Sequence, residues 1–419
     1  MFIEINVLSL DKKIMNYFKN IEAAQQFNVS TATVNRWIQG AIGGRNNLHL
    51  EEKDNRYLII RDEHNKAEML KLSSEGKKYR NQSSFEYIQP KNEFYKIFNE
   101  QDIFEIVRDL EAESRIDLKF TYKGVGGEYW DRFYKEFGLS KNYDTPSKEK
   151  ELINETLEAI IKKLPQRKGL KVNVIDLGAG NGYPIKPILE KLERDNLLNQ
   201  YIAIDISDKL LEICKDNIQF WFKGIEVFTH QMDIAEESLE KLIYNYKVED
   251  YENTVYLVCY LGGTIGNQRK YYPILTNIRA CLRSEDLFVL ANAVITEKNK
   301  AVASHVTSKI YHQTHSWIVD YLGFEVRPEL IESRYDDKTK KKVKYLRLEK
   351  DYYLTINDCG VKRELEFSRG SEIGIWEYKP TQFEDIFSDF KQSGLDVLNY
   401  NTYRDLSYIL VTSRNRFYN

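Results

Sequence analysis

The sequence predicts an α/β fold: a Rossmann-like sheet with an insertion domain and a small N-terminal helix-turn-helix or winged module. Three observations support this prediction. A buried strand runs into a glycine-rich turn at 172–182, a second strand ends in Asp205, and further strand and helix patterns follow. Strand, glycine turn, helix, strand and acid, in this order, form the βαβ arrangement typical of nucleotide-binding proteins.

The composition excludes several classes of protein. The 419 residues suffice for two or three domains, and a net charge of −3 gives no general attraction to nucleic acid or membranes. No apolar run approaches the roughly 20 residues that span a bilayer, and the N-terminus lacks a signal-like core. We therefore expect a cytoplasmic protein with no membrane partner and no metal site. Buried free thiols are expected of Cys214, Cys259, Cys281 and Cys359.

A helix-turn-helix pattern occupies residues 21–40, within a module that we assign to 1–80. Apolar residues at helical spacing predict the inner faces of two helices, namely Ala23, Ala24, Phe27, Val34, Trp37 and Ile38. The exposed face of the second helix is expected to carry Thr31, Thr33, Asn35 and Arg36. Short strands at 49–60 and 67–72 would form a wing, and a polar linker is expected at 81–98.

This module has two interpretations. Its polar helix face suits a DNA groove, so residues 21–40 are a candidate contact with nucleic acid. Its nearly equal numbers of acids and bases fit equally well a module that dimerises or docks on the rest of the protein. The oligomeric state stays open.

Seven strands are expected in the central sheet. Five lie near 172–177, 201–205, 225–229, 254–260 and 287–293, and two near 395–401 and 406–413 form its antiparallel end after a helix at 380–393. The sheet domain is assigned to 148–294 and 379–419, and a substrate domain to 99–147 and the insertion 295–378. Within the insertion, 336–344 is expected to be a charged hairpin tip.

The glycine turn favours S-adenosylmethionine (SAM) over NAD as the ligand of this sheet. Its spacing is GxGxG, from Gly178, Gly180 and Gly182, and Asp176 precedes it. SAM has no pyrophosphate to hold, and a carboxylate near the turn suits its methionine ammonium group. Asp205 is expected to accept hydrogen bonds from the ribose hydroxyls.

The fourth strand ends in a second glycine segment, 260–267. Ligands of open α/β sheets bind at the carboxyl ends of the strands, and Gly262 and Gly263 allow a ligand to approach the backbone closely. The amide of Asn267 can accept from an amino group and donate to a carboxylate. We therefore expect this segment to contact the substrate.

Three segments together resemble the histidine-specific SAM-dependent methyltransferase family. They are a tyrosine–glycine loop at 122–131, a tyrosine segment leading to an acid at 142–149, and LGGTIGN at 261–267. With the glycine turn, the resemblance covers about 100 to 414. It implies a class I SAM-methyltransferase fold and an N-methyltransferase acting on the α-amino group of histidine, or of a related amino acid or small amine.

The resemblance implies roles for individual residues. Tyr122, Tyr143 and Asn267 would hold the amino-acid end of the substrate, with Tyr122 and Asn267 as the catalytic pair. The acid–apolar pair Asp233 and Ile234 would lie beside the adenine. Tyr260 would complete the cofactor site.

Near the C-terminus the family has a Glu-x-Ser segment that binds the imidazole. In this chain Glu377 would supply the carboxylate, and Tyr378 or Lys379 replaces the serine. Two other functions stay open. The N-terminal module could direct a methyltransferase to nucleic acid or a macromolecular partner, or the chain could be a DNA-binding regulator that senses SAM.

Overall fold

Most of the chain is described by the computed structural model, and it divides into two compact units. The described residues are 17–18, 23, 26–27, 29, 31–42, 44–53, 56–80, 85–139, 144–244, 246, 252–268, 271–297, 300, 309–358 and 360–416. The first unit comprises 1–116, 319–326 and 346–373, and the second comprises 117–318, 327–345 and 374–419.

The strands and helices follow in chain order. The strands are β1 (Tyr17–Phe18), β2 (Leu50–Lys53), β3 (Arg56–Ile60), β4 (Glu86–Ile88), β5 (Lys171–Leu177), β6 (Leu198–Asp205), β7 (Glu226–Gln231), β8 (Thr254–Tyr260), β9 (Leu287–Ala293), β10 (Ile331–Asp336), β11 (Lys341–Arg347), β12 (Tyr352–Asp358), β13 (Val361–Phe367), β14 (Glu372–Tyr378), β15 (Leu395–Thr402) and β16 (Tyr408–Asn415).

The helices are α1 (Thr31–Ile42), α2 (Glu63–Arg80), α3 (Asn92–Ile97), α4 (Glu100–Glu113), α5 (Leu118–Thr121), α6 (Val125–Phe133), α7 (Asp144–Ile161), α8 (Lys186–Arg194), α9 (Asp208–Trp221), α10 (Leu239–Tyr244), α11 (Tyr271–Cys281), α12 (Lys309–Tyr321) and α13 (Phe383–Gln392). A π-helical turn follows α6 at Tyr134–Gly138, and 3-10 turns lie at Thr264–Asn267 and Pro328–Leu330.

A seven-stranded sheet organises the second unit. Its strand order is β15-β16-β9-β8-β5-β6-β7. The five strands from β9 to β7 are parallel, whereas β16 runs antiparallel to both of its neighbours. The expected seven strands are therefore confirmed, each within three residues of its predicted ends. The strand order reverses between β5 and β8, so their carboxyl ends form the crevice where ligands of such sheets bind.

Both faces of the sheet are covered by packed side chains, which explains why its strands are nearly continuous hydrophobic runs. Val172 and Val174 of β5 pack into one cluster of buried side chains. Ile175 and Leu177 of the same strand pack into a second cluster. Every residue of β8 is buried, and the segment that carries Asn267 follows its carboxyl end.

In the first unit, a small core matches the expected helix pattern. Strands β1, β3 and β2 form an antiparallel sheet. It packs against the residues predicted to face inward, Ala23, Phe27, Val34, Trp37 and Ile38. Ala24 lies outside the described residues. The expected strands at 49–60 are present as β2 and β3.

The strand expected at 67–72 is wrong, because these residues belong to helix α2. Asp62, directly before the first residue of α2, was the local signal for a helix. The Asp62 carboxylate accepts a hydrogen bond from the Asn65 backbone N–H at 2.6 Å, which is an N-terminal cap. Met69 is fully buried on the inner side of the helix.

The face of α1 that was expected to be exposed is half-buried. Asn35 Nδ2 donates to the carbonyl oxygen of Ala112 at the end of α4, at 3.4 Å. Arg36 donates to Ser368 Oγ, and its guanidinium lies 3.9 Å from the Glu366 carboxylate. This face therefore packs on other residues of the first unit, through hydrogen bonds to α4 and to Ser368 and an ion pair with Glu366.

Regular elements also occupy much of the remaining chain. Residues 81–98, expected as a linker, contain β4 and α3, and β4 pairs in parallel with β12. Residues 337–340 form the turn between the neighbouring strands β10 and β11, as expected for the hairpin tip. Cys214, Cys259 and Cys281 are free thiols, and Cys359 lies outside the described residues. Among the described helices, none combines the length and apolar character needed to cross a bilayer.

Candidate active site

The glycine turn after β5 is tied to the end of β6. Gly178, Gly180 and Gly182 have positive φ angles of 61°, 55° and 77°, a backbone conformation that other residues rarely adopt. The Asp205 carboxylate accepts from the Gly180 N–H and from the Ser207 N–H, each at 2.9 Å. Each carboxylate oxygen can accept a further hydrogen bond, so Asp205 retains capacity for a ligand hydroxyl.

Asp176 lies beneath the glycine turn. It accepts a hydrogen bond from the Tyr201 hydroxyl at 2.7 Å, and both side chains are buried. Burial raises the pKa of Asp176 to about 7, and the neighbouring Asp205 and Glu149 carboxylates act in the same direction. A cationic group above the turn would favour the charged form of this acid.

The ends of β7 and β8 complete the same edge of the sheet. Asp233 follows β7, and its Oδ1 accepts from the Ala235 N–H at 3.0 Å. Ile234 is buried beside it. Tyr260, the last residue of β8, is buried and receives a hydrogen bond from Gln268 at 3.4 Å.

Two predicted substrate residues meet beyond β8. Asn267 Nδ2 donates to the Tyr122 hydroxyl oxygen at 3.2 Å, although 145 residues separate them. Burial and the nearby Asp205 carboxylate raise the pKa of Tyr122 above its ordinary value. Tyr122 is therefore a neutral phenol that can donate its proton, and Asn267 keeps its amide oxygen as an acceptor.

Helix α6 brings Tyr122's segment onto the glycine turn. The buried Asp131 carboxylate accepts from Asn181 Nδ2 at 3.0 Å. The Trp130 indole covers Gly180, because a Cβ added there would lie 3.2 Å from the ring. Trp130 was not predicted as a site residue; its position after the tyrosine–glycine loop was the available signal.

Glu149 is a second residue that sequence reasoning missed. Its carboxylate accepts from the Gly262 backbone N–H at 2.7 Å and from the Tyr408 hydroxyl at 2.5 Å. Burial raises the pKa of Glu149 to about 7. This acid ends the 142–149 segment, but nothing local to Tyr408 indicated that the two would meet. Together they hold the start of the segment that carries Asn267.

Tyr378 packs on the same segment from the other side. Its hydroxyl donates to Asn292 Oδ1 at 2.8 Å. A Cβ at Gly263 would lie 2.9 Å from that hydroxyl, and one at Gly266 would lie 2.3 Å from the ring. Both glycines are required by this close contact.

Of the two remaining expected substrate residues, the structure describes one, Glu377. Glu377 forms an ion pair with Lys341, with an Nζ–Oε1 distance of 3.0 Å. Tyr143 lies outside the described residues.

The donors and acceptors at this edge fit SAM. A glycine turn with three positive φ angles follows β5. A buried carboxylate, Asp205, stands one strand away, where ribose hydroxyls would lie. The arrangement can hold a nucleoside beside an amine acceptor.

Several solved structures are similar to this chain. A SAM-dependent methyltransferase from Clostridium acetobutylicum ATCC 824 is 13% identical, with 68% of this chain and 98% of that chain covered and a TM-score of 0.38. CcbJ methyltransferase from Streptomyces caelestis is 11% identical, with 70% and 98% covered and a TM-score of 0.40. Magnesium protoporphyrin IX methyltransferase from Synechocystis PCC 6803, with bound SAH, is 10% identical, with 75% and 100% covered and a TM-score of 0.38.

The sequence was also compared with curated proteins and with protein families. No curated protein matches the chain. A family model described as histidine-specific methyltransferase, SAM-dependent, matches residues 100–414. The matched range contains the glycine turn and both members of the Tyr122–Asn267 pair.

Proposed function

Because the chain belongs to the histidine-specific, SAM-dependent methyltransferase family, we propose that it methylates the α-amino group of histidine or of a related amino acid or small amine. The hydrogen bond between Asn267 and Tyr122 is the observation that carries this proposal. It joins a donor and an acceptor suited to an α-amino acid beside the glycine turn.

Asn267 and Tyr122 orient the acceptor in this proposal. SAM, when bound, supplies a sulfonium methyl group: the amine lone pair forms the new N–C bond while the C–S electron pair stays on sulfur. The Asn267 oxygen accepts a hydrogen bond from the amine and so directs the lone pair of the amine nitrogen at the methyl group. Correct orientation of the two reacting groups is the main contribution that the protein makes to such a transfer. Tyr122 donates to the acceptor carboxylate.

A protein base is not required for this chemistry. The raised pKa of Tyr122 keeps its phenol protonated, so it acts as a donor and not as a base. An α-amino group has a pKa of about 8, and a modest fraction is neutral at physiological pH. Its proton is lost to solvent before the transfer.

Cofactor contacts follow from the same edge of the sheet. We assign the ribose to Asp205, the adenine surroundings to Asp233, Ile234 and Tyr260, and the ammonium group to the region of Asp176. The backbone of Gly178, Gly180 and Gly182 lines the floor. Their common position at the carboxyl ends of β5 to β8 supports this assignment.

A substrate panel tests the proposal. The purified full-length protein is incubated with labelled SAM and with histidine, other α-amino acids or small amines, and the products are identified by mass spectrometry. We expect methylation of a free α-amino group and none of the corresponding N-acetyl amino acid. Transfer to the N-acetyl compound, or no transfer to any amine, would contradict the proposal.

The contacts of α1 argue against the proposals that involve nucleic acid. Asn35 and Arg36, two of the four residues expected on the groove-facing side, bond to Ala112, Ser368 and Thr33 of the first unit. Reading DNA with them requires these contacts to be broken. A salt series of duplex DNA binding by the full-length protein tests this alternative.

A further inference from the structure

The segment that carries Asn267 begins with a tight turn. Gly262 and Gly263 follow β8 with positive φ angles of 71° and 65°, and the 3-10 turn Thr264–Asn267 comes next. Within this stretch the Gly266 N–H donates to the Gly263 carbonyl at 2.9 Å. Asn267 therefore ends a short, hydrogen-bonded stretch, and the direction of its side chain depends on how that stretch leaves β8.

A buried carboxylate holds the first residue of this turn. Glu149 of helix α7 accepts from the Gly262 N–H at 2.7 Å and from the Tyr408 hydroxyl at 2.5 Å. Glu149 is 4% exposed and Tyr408 1% exposed. Removing the carboxylate would leave both donors without this acceptor in a place that water reaches poorly, which is unfavourable. The turn is therefore expected to move when Glu149 is lost.

The other end of the stretch is held by different partners. The Gly266 carbonyl accepts from the Lys379 N–H at 2.7 Å, and Asn267 Nδ2 donates to the Tyr122 hydroxyl at 3.2 Å. With both ends held, the amide oxygen of Asn267 has one direction. If the end at Gly262 is released, the stretch can rotate about its remaining contacts and the oxygen changes its aim.

Protonation of Glu149 does not remove its contacts. Burial raises the pKa of Glu149 to about 7, so the charged and the neutral form both occur near neutral pH. In the neutral form one oxygen still accepts from Gly262, and the protonated oxygen can donate to the Tyr408 hydroxyl oxygen instead. A glutamine amide offers the same pair of groups, an acceptor oxygen and an N–H donor.

We propose that Glu149 is a positioning residue for methyl transfer, which acts through the main chain between Gly262 and Asn267 and so directs the Asn267 oxygen at the amine of the acceptor. Tyr408 supports Glu149 from the antiparallel end of the sheet. The proposal rests on the proposed function, because it takes the amine to be bound at Asn267.

Steady-state turnover of the full-length protein tests this role. Labelled SAM is used with L-histidine, or with a better acceptor if the substrate panel yields one. Glu149→Ala should lower kcat roughly tenfold, the scale of lost orientation, and leave SAM affinity in calorimetry unchanged. Glu149→Gln should retain most of the wild-type kcat, because its amide can bond to both Gly262 and Tyr408. A Glu149→Gln variant as slow as Glu149→Ala would overturn the proposal.

Thr156→Val is the matched control. Thr156 lies about two turns further along α7, is buried, and accepts from Asn401 Nδ2 of β15 at 3.1 Å. It ties the same helix to the same antiparallel end of the sheet, and its hydrogen bonds go to Leu152 and Asn401. We expect a kcat near that of the wild type. An equal fall in the control and in Glu149→Ala would indicate general support by α7 and overturn the proposal.

A double variant distinguishes positioning from general support. If Glu149 acts through Asn267, its removal has no further effect on transfer once the Asn267 amide is absent. We therefore expect kcat of the Glu149→Ala and Asn267→Ala double variant to lie within about twofold of kcat for Asn267→Ala alone. Two falls that multiply would show independent effects and contradict the proposal.

The outcomes separate this inference from the proposed function. A wild-type kcat in Glu149→Ala, with Asn267→Ala impaired, would overturn the inference and leave α-amino methylation standing. If the wild-type protein methylates no amine, the proposed function fails and the inference fails with it. Where Glu149→Ala does not fold, Glu149→Asp decides: its shorter carboxylate cannot reach both donors, so kcat should fall below that of Glu149→Gln, and an unchanged kcat would overturn the inference.

Discussion

At the residue scale, the Asn267 amide has two roles in the proposed site. Its Nδ2 donates to the Tyr122 hydroxyl, and its oxygen is proposed to accept from the amine of the substrate. Asn267→Ala removes both the bond to Tyr122 and the acceptor oxygen. We expect SAM affinity to stay nearly unchanged and methyl transfer to fall about tenfold or more, because a misaimed lone pair loses the benefit of positioning. Calorimetry and turnover measure the two effects separately. Tyr122→Phe, which keeps the ring, should reduce turnover in the same direction; normal turnover in both variants would rule out this pair as the amine site.

Gly180 and Asp205 are a test of the cofactor assignment. Gly180→Val adds strain at a φ of 55° and meets Trp130, so we expect SAM binding to be lost. Asp205→Ala should weaken SAM binding by roughly 1–3 kcal/mol, since it leaves polar partners unpaired. Gly224→Val is the matched control, because Gly224 has a φ of 96° but open space around it. Wild-type SAM affinity in the two site variants would refute the assignment.

Local sequence patterns predicted several residues of the candidate site, but not the contacts that hold its segments in place. Glycine spacing and strand-terminal acids predicted Gly180 and Asp205 because such motifs act within a few residues of each other. Glu149 and Tyr408 are 259 residues apart, and their pairing depends on where the antiparallel end of the sheet returns. No short-range pattern contains that information.

At the element scale, the sheet was predictable and the N-terminal helices were only partly so. Strands buried on both faces have long apolar runs, and β8 is buried throughout. The short apolar run at 67–72 predicts a strand, but the Asp62 carboxylate caps a helix that continues through it as α2. The prediction that the polar face of α1 is exposed was wrong, because residues distant in sequence, Ala112, Glu366 and Ser368, contact it.

The covered face of α1 leads to a prediction. Arg36→Glu places a carboxylate near Glu366, which lies 3.9 Å from the present guanidinium. We expect a loss of at most about 1 kcal/mol in the free energy of unfolding, since Arg36 is partly exposed and solvent screens the charge. Chemical denaturation measures it. Lys215→Glu, at an exposed position of α9, is the control. An Arg36 variant as stable as this control, but deficient in DNA binding, would favour the nucleic-acid alternative.

At the scale of the whole molecule, we expect the buried acids Glu149 and Asp176 to make stability depend on pH. Burial raises the pKa of Glu149 and of Asp176 to about 7 in the folded state, above ordinary carboxyl values of about 4. Between these values the folded protein holds protons that the unfolded chain releases. The free energy of unfolding therefore falls as the pH rises from about 4 to 7.

Neutral variants test the origin of this dependence. Glu149→Gln and Asp176→Asn should each flatten it, by on the order of 1 kcal/mol per unit of pKa shift removed. Urea unfolding at pH 5 and pH 8 gives the comparison. Curves for both variants that keep the wild-type difference between the two pH values would contradict the assignment to these acids.

The contact between Glu149 and Tyr408 also has a consequence for synthesis. Chains grow from the N-terminus, so the glycine turn, Glu149 and the Asn267 segment emerge from the ribosome well before β16. Until Tyr408 follows, the Glu149 carboxylate lacks one of its two hydrogen-bond donors and the sheet lacks its antiparallel end. A nascent chain that ends before β16 therefore contains the glycine turn, Glu149 and the Asn267 segment, while the contacts that hold the candidate site are still incomplete. Methyl transfer at this site is therefore expected only after β16 has been synthesised and has paired with β9.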